Sequence, residues 1–268
     1  MKLVNLIFRT LTIILAITLV FTSCKKDEEE APQIPPESSF VMDFSAFSNP
    51  NDTLASREIS TYQNWGYSYT MVLFWQAIVA AELAIPTIAF TESFNHEAVY
   101  HPDEDNWTWT YSVVVNETFY TAELTGYLAS DSVAWEMRVT SGAVYNGFLW
   151  YYGKSALNRS GGWWILQENP LAPSAVLRID WHNNGDGIAD IKYTDVRIGG
   201  ALPGSYIFYG TTTDYFDRFY NLHNAENSNL TEIQWSYANH DGRVKDAVHF
   251  GNENWNCWAT NLMDTVCP

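Results

Sequence analysis

The chain is poor in basic residues: 14 Lys and Arg stand against 31 Asp and Glu, which gives a formal net charge of −17. Nucleic-acid phosphates and anionic lipid headgroups carry the same sign of charge and are repelled by such a surface. This deficit argues against nucleic acid as a partner. It also argues against electrostatic binding to anionic membranes.

Catalytic sequence motifs are also missing: the chain contains no GxSxG elbow, no P-loop and no HExxH. The segment His96–His101 comes near HExxH but has one residue too many, which turns the second histidine about 140° away on a helix. We therefore predict that the protein is not an enzyme. A glycan hydrolase with dispersed carboxylates stays open as an alternative, because the spacing of carboxylates in space cannot be read from sequence.

Cysteine is scarce, and the first of three cysteines, Cys24, follows an export signal. Lys2 and Arg9 flank the start of an apolar run, Leu11 to Phe21, which is short for a membrane span and suited to a signal peptide. Phe21-Thr22-Ser23-Cys24 then resembles a bacterial lipobox. The resemblance implies a signal peptide over residues 1–23 and lipidation of Cys24, which would anchor the chain to a membrane.

The sequence after Cys24 predicts a tether and a location. Lys25-Lys26 and the acidic run 27–30 resemble the surface-export signal of Bacteroidota-type lipoproteins, which implies the outer membrane and the cell surface. A solvated charge run is the alternative, so a periplasmic orientation stays open. Residues 24–45 are predicted to form an acidic, proline-rich tether, and residues 46–268 a single β-rich domain.

The two remaining cysteines, Cys257 and Cys267, are predicted to form a disulfide, because an exported protein meets an oxidising compartment. Closing this short loop would stabilise the fold by roughly 2–3 kcal/mol. Zinc is the weaker interpretation, since no second Cys or His pair stands at ligand spacing.

The central element of the predicted fold is a helix over residues 67–90. This stretch is apolar on every side, and its polar members Gln76 and Glu82 point in different directions, so protein or lipid must enclose it. Pro86 is expected to kink or end the helix. A membrane span is the alternative, which Glu82 and the lack of flanking basic residues argue against.

The rest of the domain alternates between apolar and polar residues with a period of two. About ten such strand-like runs follow Trp107, and no helix-length pattern interrupts them. We predict a mainly β fold: a curved antiparallel meander of about ten strands, a half-barrel or open barrel wrapped around the helix. The architecture, without any shared motif, is similar to the unclosed barrels of periplasmic lipoprotein-carrier and localisation factors.

Five residues are candidates for binding a ligand inside this fold. Glu82 would be a polar anchor in a cavity beside Trp75 on the same helix, with Arg138 among its candidate partners; a structural ion pair is the alternative. Trp163 and Trp164 are adjacent in a strand and face opposite sides, so one of them must leave the core. Most other tryptophans are expected in the core.

The loop at residues 183–190 is a candidate calcium site. Its sequence NNGDGIAD resembles the calcium loops of thrombospondin-type and dockerin-type repeats, with Asn184, Asp186 and Asp190 as ligands. Strand-like runs lie on both sides, and Asn-Gly and Asp-Gly are hairpin signals by themselves. A hairpin turn is therefore the favoured alternative, and no other cofactor is expected.

These observations predict a lipid-anchored outer-membrane lipoprotein that binds a hydrophobic small molecule or a glycan through its sheet. A structural or adhesive surface protein with a filled core is the alternative. A buried volume next to Glu82 would favour ligand binding, and a sheet packed solid by the helix would favour the scaffold.

Overall fold

The computed structural model describes residues 30–47, 63–115, 117–185 and 189–267. The predicted signal peptide, the lipidation site Cys24 and the candidate ligand Asp186 lie outside the described residues. One compact unit extends from Pro32 to Pro268.

The fold is an open antiparallel sheet of fourteen strands with one long helix, as the predicted class requires. Each strand pairs with its neighbours in sequence, so the strand order is the chain order. The strands are β1 (Val99–His101), β2 (Asn106–Val115), β3 (Thr118–Leu128), β4 (Ser132–Ser141), β5 (Tyr145–Ala156), β6 (Gly161–Asn169), β7 (Ala172–Asn183), β8 (Ala189–Asp195), β9 (Tyr206–Thr211), β10 (Arg218–Asn224), β11 (Asn229–Trp235), β12 (Gly242–Lys245), β13 (Asn256–Trp258) and β14 (Asp264–Thr265). Helix α1 is Gln63–Ser93, and a short helix α2 is Ala247–Phe250.

The predicted count of about ten strands is too low. β1, β13 and β14 have only two or three residues each. Such segments are too short to show a period of two, so only pairing with a neighbouring strand defines them. The last strand-like run of the sequence, residues 244–250, is predicted as one strand, but its second half forms α2.

Helix α1 is longer than predicted and does not end at Pro86. It begins four residues before Tyr67 and continues for seven residues after Pro86. Proline removes one hydrogen bond, the one to the Glu82 carbonyl, and burial of the helix face that carries Pro86 outweighs this loss. The residues of this buried face are Trp65, Ser68, Val72, Trp75, Val79, Leu83, Pro86, Ala89, Phe90 and Ser93.

Both flanks of the sheet contact α1. On one flank, the Tyr111 hydroxyl of β2 donates to the Ala89 carbonyl. On the other, the Asn64 side chain donates to the Cys257 carbonyl of β13 at 2.9 Å, and the Asn64 N–H donates to Asp264 of β14 at 2.9 Å. Two distant flanks can reach the same helix only if the sheet bends round it.

Residues 32–47 belong to the core, which corrects the predicted tether over residues 24–45. Pro32, Ile34, Phe40, Met42 and Phe47 are buried. Prolines and isolated apolar residues show no period, so the sequence gives no sign that this segment packs.

This segment lies between α1 and the middle strands. The Phe40 ring packs 4.9 Å from Phe90 of α1 and 4.8 Å from Tyr151 of β5, measured between ring centroids. The Tyr193 hydroxyl of β8 accepts the Met42 N–H at 2.7 Å and donates to the Phe40 carbonyl at 2.8 Å. The segment therefore fills the space that the helix leaves in the bend of the sheet.

Two buried tyrosines allow a matched test of this core. The Tyr151 hydroxyl has no hydrogen-bond partner among the described residues, whereas the Tyr193 hydroxyl has two. We expect Tyr151→Phe to leave the free energy of unfolding unchanged or to raise it, because it removes an unpaired buried hydroxyl. Tyr193→Phe should lower it by about 1–3 kcal/mol, because the Met42 N–H and the Phe40 carbonyl lose their partner. Denaturant unfolding of both variants measures the difference; equal losses would contradict the assignment.

The predicted disulfide is confirmed: Cys257 in β13 is bonded to Cys267, which follows β14. The bond closes a loop of ten residues. It holds the last two strands, and with them the contacts to the start of α1, against the sheet.

Candidate functional site

A cavity of about 460 Å³ lies between the first half of α1, strands β10 and β11, the loop before β9 and α2. Its volume is within the usual range of small-molecule sites. The lining residues are Tyr67, Met71, Phe74, Trp75, Leu202, Ser205, Leu222, His223, Asn224, Asn227, Asn229, Thr231, Asp246, Val248 and His249.

One wall of the cavity is aromatic and apolar. Tyr67, Met71, Phe74 and Trp75 follow the helical spacing i, i+4, i+7 and i+8, so they share one side of α1. Trp75 is buried, whereas Phe74 is 52% exposed and lies at the rim. This wall therefore lines the cavity with aromatic and apolar side chains.

A second wall, from the β10–β11 hairpin, carries neutral polar side chains beside the apolar Leu222. Asn224 and Asn227 shape the turn, since their side-chain oxygens accept the N–H groups of Glu226 and Asn229 at 2.9 and 3.0 Å. Ser205 accepts the Ala225 N–H at 3.0 Å and fixes the turn to the loop before β9. The turn therefore holds several amides at the mouth of the cavity.

The carboxylate of Asp246 organises the end of the cavity. Asp246 is 1% exposed and accepts hydrogen bonds from the Tyr67 hydroxyl at 2.6 Å, from Thr231 and from the Asn229 amide at 2.9 Å. It also caps α2 by accepting the N–H groups of Val248 and His249 at 3.0 and 2.9 Å. One side chain thus joins α1, β11 and α2.

These contacts set the protonation of Asp246 and Tyr67. Burial by itself would raise the pKa of Asp246, but the hydrogen bonds from Thr231, Tyr67, His249 and Asn229 outweigh it and lower that pKa. Burial, together with the hydrogen bond to Asp246, raises the pKa of Tyr67. The aspartate stays ionised and the tyrosine stays a donor. The Tyr67 ring also stacks on His249 with centroids 3.7 Å apart.

Of the five predicted ligand residues, Trp75 lines this cavity. Glu82 does not: its carboxylate pairs with Arg197 at 3.1 Å, and Arg197 also pairs with Asp195 at 2.9 Å. This is the structural ion pair that the sequence left open as the alternative. Arg138 lies on the outer face of β4, where it bonds Glu136 at 3.0 Å and the Gly147 carbonyl at 3.1 Å.

Trp163 and Trp164 face opposite sides of β6, as their adjacency predicts. Trp164 is fully buried and packs 5.9 Å from Phe40 in the core. Trp163 lies on the outer face of the sheet, with the Arg178 guanidinium 5.3 Å from its ring. Neither residue lines the described cavity.

The candidate calcium loop connects two paired strands, since Asn183 of β7 lies opposite Ala189 of β8. The Asn183 side chain accepts the Gly185 N–H at 2.8 Å, and Asp190 contacts His182 at 2.9 Å. The favoured hairpin alternative accounts for these contacts. Across the described ranges, which omit Asp186, no three His, Cys, Asp or Glu side chains form a group suited to a metal ion.

A second, smaller cavity of about 350 Å³ opens on the outer face of the sheet. Its lining includes Phe216, Phe219, Gln234 and Arg243. Arg243 donates to the Gln234 side chain at 2.9 and 2.6 Å, and its guanidinium lies 4.3 Å from the Trp255 ring. These internal contacts occupy the arginine, so this cavity presents fewer polar groups than the first.

Sequence reasoning missed most of the polar lining of the first cavity. The one available signal was the density of asparagine between two strand-like runs, at residues 221–229. Asparagine is common in any turn, so the signal does not distinguish a site from a hairpin.

Comparison with protein-family profiles, with curated proteins and with solved structures finds no match to this chain. The fold and the cavity by themselves define its class: an antiparallel sheet domain with one long helix and a ligand-sized site where the two meet.

Proposed function

We propose that the protein is a non-enzymatic lipoprotein, anchored through Cys24 to the outer membrane and facing the cell surface, whose cavity binds a small neutral glycan. The observation that supports this most directly is the division of the cavity into an aromatic wall and an amide wall. A sugar has an apolar ring face and a rim of hydroxyl groups, which matches both walls.

A purely hydrophobic ligand fits this cavity less well. It would cover His223, Asn224 and Asn227 without offering hydrogen bonds, and buried polar groups without partners are costly. A charged ligand also fits less well, because Tyr67, Thr231 and Asn229 already satisfy the ionised carboxylate of Asp246. The ligand chemistry that remains is neutral and rich in hydroxyl groups.

The alternative functions are a filled scaffold and a glycan hydrolase. Residues 32–47 do fill the middle of the sheet, which favours the scaffold there, but the cavity at the start of α1 stays open. A glycosidase of the usual kind needs two carboxyl groups about 5–10 Å apart. Asp246 is the one carboxylate among the lining residues described for this cavity.

The binding test is a titration of the full-length lipoprotein, in detergent, with a panel of neutral mono- and disaccharides followed by native mass spectrometry. Phe74→Ala and Asn227→Ala should each weaken binding by about tenfold, the loss of one stacking or hydrogen-bonding contact. Both side chains lie at the cavity rim. Because Asn227→Ala also removes the acceptor of the Asn229 N–H, denaturant unfolding of both variants is measured beside binding.

Leu73→Ala is the matched control for Phe74→Ala. Leu73 is the neighbouring exposed apolar residue of α1, at 40% exposure, and does not line the cavity. It should bind sugars like the wild type. Absence of sugar binding, or a co-purifying adduct that chloroform extracts, would contradict a glycan ligand. Digestion of intact cells with an external protease tests the orientation, and protection of the domain would place it in the periplasm.

A further inference from the structure

The outward face of α1 is apolar, although it is not covered by the described parts of the chain. At 100° per residue, Leu73, Ala77, Ala80, Ala84 and Ile88 lie within a narrow arc opposite the buried face. All five are exposed. Solvent-facing sides of helices in globular proteins are normally polar or charged. An apolar face at this position indicates that it contacts another surface.

Charge is absent from this arc. The two charged residues of α1 are Glu82 and Glu92. Glu82 points away from the arc and pairs with Arg197. α1 is long and apolar enough to cross a membrane by length and composition, yet 28% of its most apolar window is buried in the protein. One side of the helix is therefore committed to the sheet, and the other remains available.

We infer that this outward face of α1 rests on the lipid bilayer as a second membrane contact beside the lipid anchor. The inference rests on the proposed lipidation of Cys24. Pro32, the start of the compact unit, is eight positions after Cys24. A chain of that length spans at most about 29 Å, so the anchor holds the domain against the membrane surface.

The point at which the tether joins the domain also favours this orientation. Pro32 lies against Gly126 of β3, and Gly126 pairs with the core residue Trp135, so the contact is on the side of the sheet that faces α1. Glu37 accepts a hydrogen bond from Thr91 near the end of α1 at 3.0 Å. The compact unit therefore begins on the side of the sheet that faces α1.

A second copy of the chain is a weaker occupant. From Leu73 to Ile88 the face is about 22 Å long, and a single helix stripe of that length covers far less than the about 800 Å² per partner of a standard interface. A bilayer contact needs no such area, because the anchor already keeps the face at high local concentration. An uncharged face also avoids the repulsion that the acidic surface would meet at anionic lipids.

The test measures the depth of the helix face in a membrane. Full-length protein, with acylation of Cys24 verified by mass, is reconstituted into phosphatidylcholine vesicles. Ala80→Cys in α1 and Ser112→Cys on the outer face of β2 each carry a small fluorophore; both positions are exposed, so Ser112 is the matched control. Lipids with a nitroxide on the acyl chain should quench the fluorescence of the Ala80 probe more than that of the Ser112 probe, by a factor on the order of two or more. This is the result expected for a helix face buried about 5–10 Å into the membrane interface.

Equal quenching at the two positions would overturn the inference. So would efficient disulfide crosslinking of Ala80→Cys between copies with no lipid quenching, which would assign the face to a second copy. An unacylated Cys24 would also overturn it, because the tether argument then fails. Sugar binding by the cavity is measured separately on the same preparation, so failure of the proposed ligand and failure of the membrane contact give different results.

Discussion

Asp246→Ala is expected to lower the free energy of unfolding by about 3–5 kcal/mol, because one substitution removes the acceptor for several buried donors. The Tyr67 hydroxyl, the Thr231 hydroxyl and the Asn229 amide would lose their shared partner, and α2 would lose its cap. Buried donors without acceptors cost more than the average hydrogen bond contributes. The loss is measured by denaturant unfolding at pH 7 with the disulfide intact.

The effect should depend on pH in a defined direction. The folded pKa of Asp246 is lowered by its hydrogen bonds, so the unfolded state takes up a proton more readily as the pH falls. The stabilisation is complete above the unfolded pKa, about 4, and is lost as the pH falls through the lowered folded value. Asp246→Asn, which keeps the shape but not the charge, should therefore differ most from the wild type at pH 7 and approach it under acid conditions.

Glu253→Ala is the control for this series. Glu253 is an exposed carboxylate a few residues further along the chain, and its loss should change stability by no more than about 0.5 kcal/mol. A difference between wild type and Asp246→Asn that stays constant from pH 7 into the acid range would show that the charge of Asp246 has no part in folding.

Phe40→Ala should also destabilise the fold by about 3–5 kcal/mol, the usual cost of deleting a large buried ring. Phe40 is fully buried and packs against Phe90, Tyr151 and Trp164, so its removal leaves a cavity between α1 and the sheet. A large loss would establish that residues 32–47 are part of the cooperative core. Thermal or denaturant unfolding of the full-length protein provides the measurement.

Ser38→Ala serves as the comparison for Phe40→Ala. Ser38 is two residues away in the same segment and exposed, so its substitution should be close to neutral. If Phe40→Ala were equally neutral, the segment would be a peripheral tether after all, as the sequence had predicted.

The cavity beside α1 could be predicted only in part from the sequence. Trp75 was identified from its place in an apolar helix, but the asparagines of the β10–β11 hairpin and the carboxylate of Asp246 were not. They come from segments that are more than 100 residues away from α1 in sequence, and no local pattern brings them together. Glu82 was predicted to contact a ligand because it is a carboxylate in an apolar helix. Its carboxylate pairs instead with Arg197, which is 115 positions away in sequence.

Local sequence patterns are sufficient to predict the fold class, the long apolar helix and the Cys257–Cys267 disulfide. The strands follow from alternation with a period of two, which places successive side chains on opposite faces of a sheet. The disulfide follows from the number of cysteines that remain after Cys24. Only the packed molecule shows that residues 32–47 join the core, that α1 continues through Pro86, and that aromatic side chains of α1 and amide side chains of the β10–β11 hairpin line one cavity. Each of these depends on burial against residues distant in the chain, and burial is a property of the packed molecule that no local pattern records.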